Sequence, residues 1–286
     1  MISGFVVSYN REAVIETCLR SIRFVDELVV VDKSSTDGSA AIARRYADRV
    51  VTVPWSPSVE ETRTLAYGEC KGDFIVFLDD DECLSPEAMT FLKAEAAAPS
   101  ADLYMLPCRQ HILGRHDERA YYWPEAHVRA FRRGAMEFRP TVHGGLRNLS
   151  DSICRPDPAS GICYHNVSHA DAHEWIAKAN RYTSIRDRNL TVDPAGRESP
   201  VLLARRCIEY YAGLVPEGGD VYLEAVAVLR ALYTIIDGIK DWEQEQEATG
   251  SEMFDAFCLE MRRAYDTLEA ATGLRTGAEP PPATAS

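Results

Sequence analysis

Phe74-Ile75-Val76-Phe77-Leu78-Asp79-Asp80-Asp81-Glu82 joins five apolar residues directly to four carboxylates. A strand buried on both faces reads as an unbroken apolar run and cannot carry charge through its middle. The acids are therefore expected where the strand leaves the sheet, at its carboxyl end. In open α/β sheets that edge is where ligands bind. Adjacent carboxylates disfavour one another's charge unless a cation neutralises them, and hard oxygen donors suit Mg²⁺ or Mn²⁺. Such ions commonly sit between a protein carboxylate and substrate phosphates. The run predicts a strand that ends in a site for a divalent metal and a diphosphate.

Outward from this strand, the first hundred residues alternate between strand and helix. Residues 2–8 are an apolar β-rich run, and residues 11–22 follow with helical spacing at Val14, Ile15, Cys18, Leu19 and Ile22. Residues 28–31 form a short buried strand. The polar turn Asp32-Lys33-Ser34-Ser35-Thr36-Asp37-Gly38 then caps a helix that runs to about Tyr46. Residues 50–53 read as a third strand, 59–69 as a third helix and 74–78 as a fourth strand. Ser85-Pro86-Glu87 opens another helix, with Ser as N-cap and Pro at its first position. Such alternation implies a mainly parallel sheet with right-handed crossovers. Short strands are expected at 103–106, 128–131, 142–146 and 161–164, and helices at 172–188, 200–212, 221–239 and 252–271. The Pro- and Ala-rich tail at 276–286 is expected to be disordered.

The chain has 286 residues and a formal net charge of −13, which argues against general nucleic-acid binding. Residues 101–165 differ from the rest, with nine arginines against seven acids. Arg is the cation whose planar fork suits bidentate contacts, so this segment either receives an anionic substrate or forms structural ion pairs. The eight cysteines show no C-x-x-C pair and read as reduced thiols. No stretch approaches the ~20 apolar residues of a membrane span, and the N-terminus runs straight into a strand without a leader-like pattern. The expectation is a soluble cytoplasmic protein with no integral membrane segment.

Three strand ends converge on one edge of the expected sheet: Ser8-Tyr9-Asn10, Asp32 and Asp79–Glu82. This constellation resembles the family 2 nucleotide-sugar glycosyltransferases of the GT-A fold. It rests on Val6-Val7-Ser8-Tyr9-Asn10-Arg11-Glu12, on Val29-Val30-Val31-Asp32-Lys33-Ser34-Ser35-Thr36-Asp37-Gly38 with its D-x-x-S-x-D-G, and on the D-x-D at Asp79 and Asp81. A closer likeness, over roughly residues 2–185, is to a bacterial branch that includes lipopolysaccharide-core glucosyltransferases and peptide S-glycosyltransferases. It is carried by Glu61-Thr62-Arg63-Thr64-Leu65-Ala66, Trp123-Pro124-Glu125, Arg129-Ala130-Phe131-Arg132-Arg133-Gly134 and Val142-His143-Gly144. Gly144 stands where the branch has Glu, and Lys33 and Tyr9 replace commoner family residues.

The resemblance implies a GT-A-like, Rossmann-type mixed α/β sheet with flanking helices and a C-terminal helical subdomain. Residues 1–100 would bind the nucleotide sugar, 101–168 would supply acceptor-side strands of the same domain, and 169–275 would be helical. It implies an inverting transfer from a nucleoside-diphosphate sugar, a UDP-sugar being favoured, with Mn²⁺ or Mg²⁺. Ser8, Tyr9, Asn10 and Glu12 would cradle the donor, with Asp32, Arg63, Asp79 and Asp80 completing its site and Asp81 on the metal. Glu125 and His143 are the two groups from which a base would come. The acceptor is left open among small-molecule, lipid-linked and peptide nucleophiles, and the C-terminal helices offer a route to an oligomer.

All seven histidines fall between positions 111 and 173. His165, His169 and His173 would share one face if a helix began that early, and His165 is the member singled out as a further metal ligand or phosphate contact. Two other enzyme classes also place acids after a strand. A sugar nucleotidyltransferase is expected to carry a Gly-rich loop where Ser8-Tyr9-Asn10-Arg11 stands, and an aspartyl-phosphate phosphatase is expected to place its acids after the first strand. A noncatalytic nucleotide-sugar-binding module is the remaining alternative.

Overall fold

The computed structural model describes residues 1–56, 59–139, 145–185 and 199–273. Met1–Ile236 form one compact unit and Asp237–Ser286 a second. The first unit is built on a nine-stranded mixed sheet. β1 (Ile2–Ser8), β2 (Glu27–Asp32), β3 (Arg49–Thr52) and β4 (Phe74–Asp79) run parallel in the order β3-β2-β1-β4. Their crossovers are α1 (Ile15–Ile22), α2 (Ser39–Tyr46) and α3 (Glu60–Glu69). This is the expected α/β class with a mixed sheet. Each of these four strands is within about a residue of its expectation, because apolar runs with polar ends leave little freedom of register, whereas the strands expected at 103–106 and 161–164 extend to Ile112 and His169.

Both faces of the parallel strands are covered, which explains their continuous hydrophobicity. Val6, Leu28, Val30, Val76 and Leu78 pack against Ile15, Leu19 and Ile22 of α1. The alternating residues Phe5, Val7, Val29, Val31, Ile75 and Phe77 fill the other layer with Ala66 of α3. Phe138 closes that layer from β8 (Met136–Phe138), with its ring centroid 5.6 Å from that of Phe77.

Beyond β4 the chain turns through Asp80 and Asp81 into β5 (Glu82–Leu84), and Ser85 caps α4 (Pro86–Ala97) by accepting from the Ala88 N–H at 3.0 Å. The sheet then continues with β7 (Ala126–Arg132), antiparallel to both β4 and β6 (Leu103–Ile112). β11 (Tyr164–His169) lies between β6 and β5. The short β9 (Leu146–Asn148) pairs with β8, and β10 (Ile153–Cys154) pairs with β6. The strand expected over 142–146 lies partly outside the described residues.

α5 (Ala172–Ile185), α6 (Pro200–Ala212) and α7 (Val221–Gln244) follow. In the second unit α8 (Gly250–Thr272) opens on a capping box, with the Thr249 hydroxyl and the Glu252 carboxylate each satisfying the other's backbone N–H. The tail expected to be disordered lies outside the described residues. All eight cysteines are free thiols. Among the described residues no helix is long and apolar enough to cross a membrane.

Candidate functional site

The carboxyl ends of β1, β2 and β4 meet because the three strands are parallel neighbours in one sheet; Ser8 pairs in register with Asp32, and Val7 with Asp79. The loops that follow clasp one another. Asn10, in the left-handed region at φ 51°, accepts from the Thr36 N–H at 2.8 Å, a conformation Asn tolerates better than most residues. Glu12 accepts from the Gly38 N–H at 2.5 Å, and a Cβ on Gly38 would lie 2.8 Å from the same oxygen. Asn10 and Glu12 thus build the loop platform, and Glu12 lies outside the cleft itself.

Two buried oxygens at neighbouring strand tips stand out. Asp32 is 2% exposed; one carboxylate oxygen accepts from the Ser35 N–H at 3.1 Å, while Oδ1 has no hydrogen-bond partner among the described residues. The Ser8 hydroxyl, equally buried, also has none. Unsatisfied buried acceptors are costly and few in native proteins, so a pair of them at one sheet edge marks a place that binds polar groups.

The four acids do not stay together. Glu82 is carried into β5 and buried, where it takes a bidentate pair from Arg129 at 2.5 and 2.8 Å. Its Oε2 also accepts from the Asp79 N–H at 3.1 Å, so the pair holds the turn from beneath. Burial works against the Arg129 charge, yet Glu82 beside it keeps the guanidinium protonated well beyond its ordinary range. The expected quartet is therefore a cleft of three acids above a buried ion pair.

Each of the three acids has its own partner. Asp79 meets Arg63 at 2.5 Å; burial opposes its charge, but Arg63 and Arg129 bring its carboxyl down to about 2. Asp80 accepts from the Tyr9 N–H at 2.9 Å and lies 3.5 Å from Arg11. Burial and the charge of Asp81 push its carboxyl up to about 7. Asp81 is 3.5 Å from Arg11 and 3.4 Å from both Lys178 and the Asn166 side-chain amide. Together these groups line a cleft of about 320 Å³, with Trp55 at 53% exposure facing Tyr9 across 6.1 Å.

Among the described residues no group of three or more His, Cys, Asp or Glu side chains is arranged to hold a metal. The donors that face the cleft are hard carboxylate oxygens, with Asp79 engaged by Arg63 and Asp80 incompletely neutralised. That set suits Mg²⁺ or Mn²⁺, which take one or two protein carboxylates and complete their shell from phosphate and water.

The histidines depart from expectation. α5 begins at Ala172, so His165 and His169 lie on β11 and no three-histidine helical stripe forms. His165 does not reach the acids; its Nδ1 is 3.0 Å from Nε2 of His111, because the side chains of His165 and Asn166 leave the strand on opposite faces and Asn166 is the one that meets Asp81. His143 lies outside the described residues. The arginine-rich segment resolves largely into structural pairs: Arg109 with Glu118, Arg115 and Arg119 with Asp117, Arg129 with Glu82 and Arg132 with Asp102.

Glu125, just ahead of β7, lines a second and larger cavity of about 760 Å³. It accepts from the Gln110 amide at 3.0 Å and lies 3.5 Å from His127, whose hydrogen bond holds the Glu125 carboxyl below its ordinary range against the effect of burial. Trp175, Lys178, Ala179 and Tyr182 present one helical stripe of α5 to this cavity. Lys178 and Tyr182 line the acid cleft as well, so the two spaces adjoin. Arg11 was within reach of sequence reasoning, since it directly follows Ser8-Tyr9-Asn10. Lys178, Tyr182 and Asn166 carry no local signal and are recruited by tertiary packing.

The family model for glycosyl transferase family 2 matches residues 3–148. A Rickettsia typhi protein named as an uncharacterized glycosyltransferase is 27% identical over 199 residues, 66% of this chain and 68% of its own. The lipopolysaccharide core biosynthesis glycosyltransferase LpsC of Rhizobium meliloti is 28% identical over 159 residues, 51% of this chain and 56% of its own. Among solved structures, S. aureus TarS 1-349 aligns over 86% of this chain and 92% of its own, at 18% identity and a TM-score of 0.42. The family match takes in β1, β2, β4 and the acids at their tips, and by it this chain belongs to glycosyl transferase family 2.

Proposed function

We propose that the protein is an inverting glycosyltransferase that moves a sugar from a nucleoside-diphosphate donor, a uridine diphosphate sugar being favoured, to an acceptor nucleophile. The observation that carries this reading is the pair of unpartnered buried oxygens at neighbouring strand tips, Ser8 Oγ, which lines the cleft with Asp79–Asp81, and Asp32 Oδ1 on the strand beyond it. In this reading Asp32 accepts from the nucleoside, Ser8, Tyr9 and Asn10 cradle it, and Glu12 keeps their loop in place. Arg63 fixes Asp79 toward the ribose, and Arg11 and Lys178 face the diphosphate. Residues 1–100 accordingly serve the donor and 101–168 the acceptor.

Asp81, with Asp80, would hold the Mg²⁺ or Mn²⁺ ion, which when bound offsets negative charge on the departing diphosphate. Glu125 is ionised at neutral pH and is the base we favour, with His143 as the alternative. Lys178 and Tyr182, common to both spaces, are placed to keep donor and acceptor in contact and to exclude water.

The test is a panel of nucleotide sugars measured for thermal stabilisation with and without Mn²⁺, since a ligand of the native state raises the melting temperature by mass action. One nucleoside-diphosphate sugar should stabilise the protein only when the metal is present. Equal stabilisation without metal would remove the metal from this reading. Stabilisation without any turnover toward acceptors would leave a binding module.

A further inference from the structure

The larger cavity differs in chemistry from the cleft beside it. Its wall is mostly rings from separate elements: Tyr121 and Trp123 ahead of β7, Trp175 and Tyr182 on α5, Tyr211 on α6 and Tyr233 on α7. The rings brace one another edge to face, Tyr121 against Tyr211 at 5.4 Å and Trp175 against Tyr233 at 6.5 Å. Such packing holds their faces in fixed orientations. Arg230 lies over Tyr211 at 5.9 Å and Tyr233 at 5.0 Å, so its charge is directed at ring faces. Lys178, the other cation on the wall, lies 3.4 Å from Asp81. The remaining polar groups on the wall carry no positive-charge clamp: tyrosine hydroxyls, His169, and the Gln110 amide, which donates to the Glu125 carboxylate at 3.0 Å on one side. Nothing here resembles the bidentate arginine clamp that an anionic group would call for.

Building on the proposed function, we infer that this cavity is the acceptor subsite and that it takes a neutral hydroxylated ring. The ring lies with its flat apolar face on the aromatic wall and one edge hydroxyl at Glu125. At about 760 Å³ the space lies within the ~300–1,000 Å³ typical of small-molecule pockets. A pyranose and a phenol share this chemistry, each having an apolar face and an edge hydroxyl. In the transfer the acceptor oxygen attacks the anomeric carbon as its O–H proton passes to the Glu125 carboxylate. The bond from the anomeric carbon to the diphosphate oxygen breaks, and its electron pair leaves with the nucleoside diphosphate.

The experiment is ligand-detected NMR on the whole chain with three probes: methyl β-D-glucopyranoside, p-cresol and glucose 6-phosphate. UDP with Mn²⁺ is titrated separately as the donor-side control. The inference expects the glucoside, the cresol or both to bind, the first outcome pointing to a carbohydrate acceptor and the second to an aryl one. Glucose 6-phosphate should gain nothing over the glucoside. Tyr211→Ala and Trp123→Leu should each weaken the neutral ring by about fivefold, the scale of one lost ring contact, with UDP affinity unchanged. Glu125→Gln keeps the wall and should leave ring binding within about twofold while removing transfer. Failure of both neutral rings to bind would overturn the inference, as would binding insensitive to both wall variants, or tighter binding of the phosphate. Ring binding without UDP binding would overturn the donor reading and with it the acceptor role, leaving the cavity as a ring-binding site alone.

Discussion

The two adjoining spaces are held open by different physics. The acid cleft is a lattice of charges: Asp79 answered by Arg63, Asp81 by Arg11 and Lys178, and the turn beneath them tied by Glu82 and Arg129. The ring-walled cavity has one carboxylate and is shaped by edge-to-face contacts. Charges close together can exchange partners, so a region of opposed charges is suited to receive a metal and a diphosphate without exposing an unpaired ion. Braced rings cannot rearrange so cheaply and offer a fixed shape. The division suggests that electrostatics select the donor, whereas shape and ring stacking select the acceptor.

The largest effect should come from the floor of the cleft. Removing one partner of a buried pair leaves an uncompensated charge, so Arg129→Leu should cost about 3–5 kcal/mol of stability in urea denaturation. A loss under about 1 kcal/mol would mean the pair does not support the acids at all. Next, Asp32→Ala should weaken UDP binding by isothermal titration by about 10- to 100-fold, the worth of a hydrogen bond to a charged group, without changing glucoside or cresol binding. An equal loss in both ligand classes would erase the distinction between the two spaces. Trp55→Ala, at the mouth of the cleft, should cost UDP about 1 kcal/mol of affinity, the scale of one aromatic contact.

The smallest effect concerns pH. Burial, with the neighbouring His111 and Arg109, brings His165 down to about 4 in the folded protein, so its neutral ring is the folded form. The unfolded chain takes up a proton at about 6.5, the ordinary value for histidine. Stability from this group is therefore complete above that pH and is lost as pH falls toward 4. Melting temperature should decline over that window, and His165→Asn should flatten the decline. An unchanged slope would place the acid sensitivity in other groups, His169 first among them, since burial brings it down to about 4 as well.

Much of the acid cleft was legible in the sequence because it obeys local rules. Apolar runs ending in Ser8, Asp32 and Asp79 fix where strands stop, and parallel topology brings the ends together. Glu82 was misread because sequence adjacency suggested a shared environment, whereas a two-residue turn and the alternation of β5 send it inward to Arg129. His165 was misread because its place at the end of an expected strand suggested the ligand edge, but residues on β11 alternate and deliver Asn166 to Asp81 instead. The ring-walled cavity was the least legible part. Tyr121 and Trp123 stand close together in the sequence, but their partners come from helices up to 112 residues away along the chain, and no local pattern marks that assembly.

The central claim is that the acids at the end of β4 grip an ion that grips the donor's diphosphate. Electron paramagnetic resonance of Mn²⁺, titrated with UDP into the wild-type protein and into Asp81→Ala, tests it most directly. The account predicts that UDP and protein together bind the ion in the wild type and that the variant loses this ternary signal. Undiminished ternary binding in Asp81→Ala would contradict it.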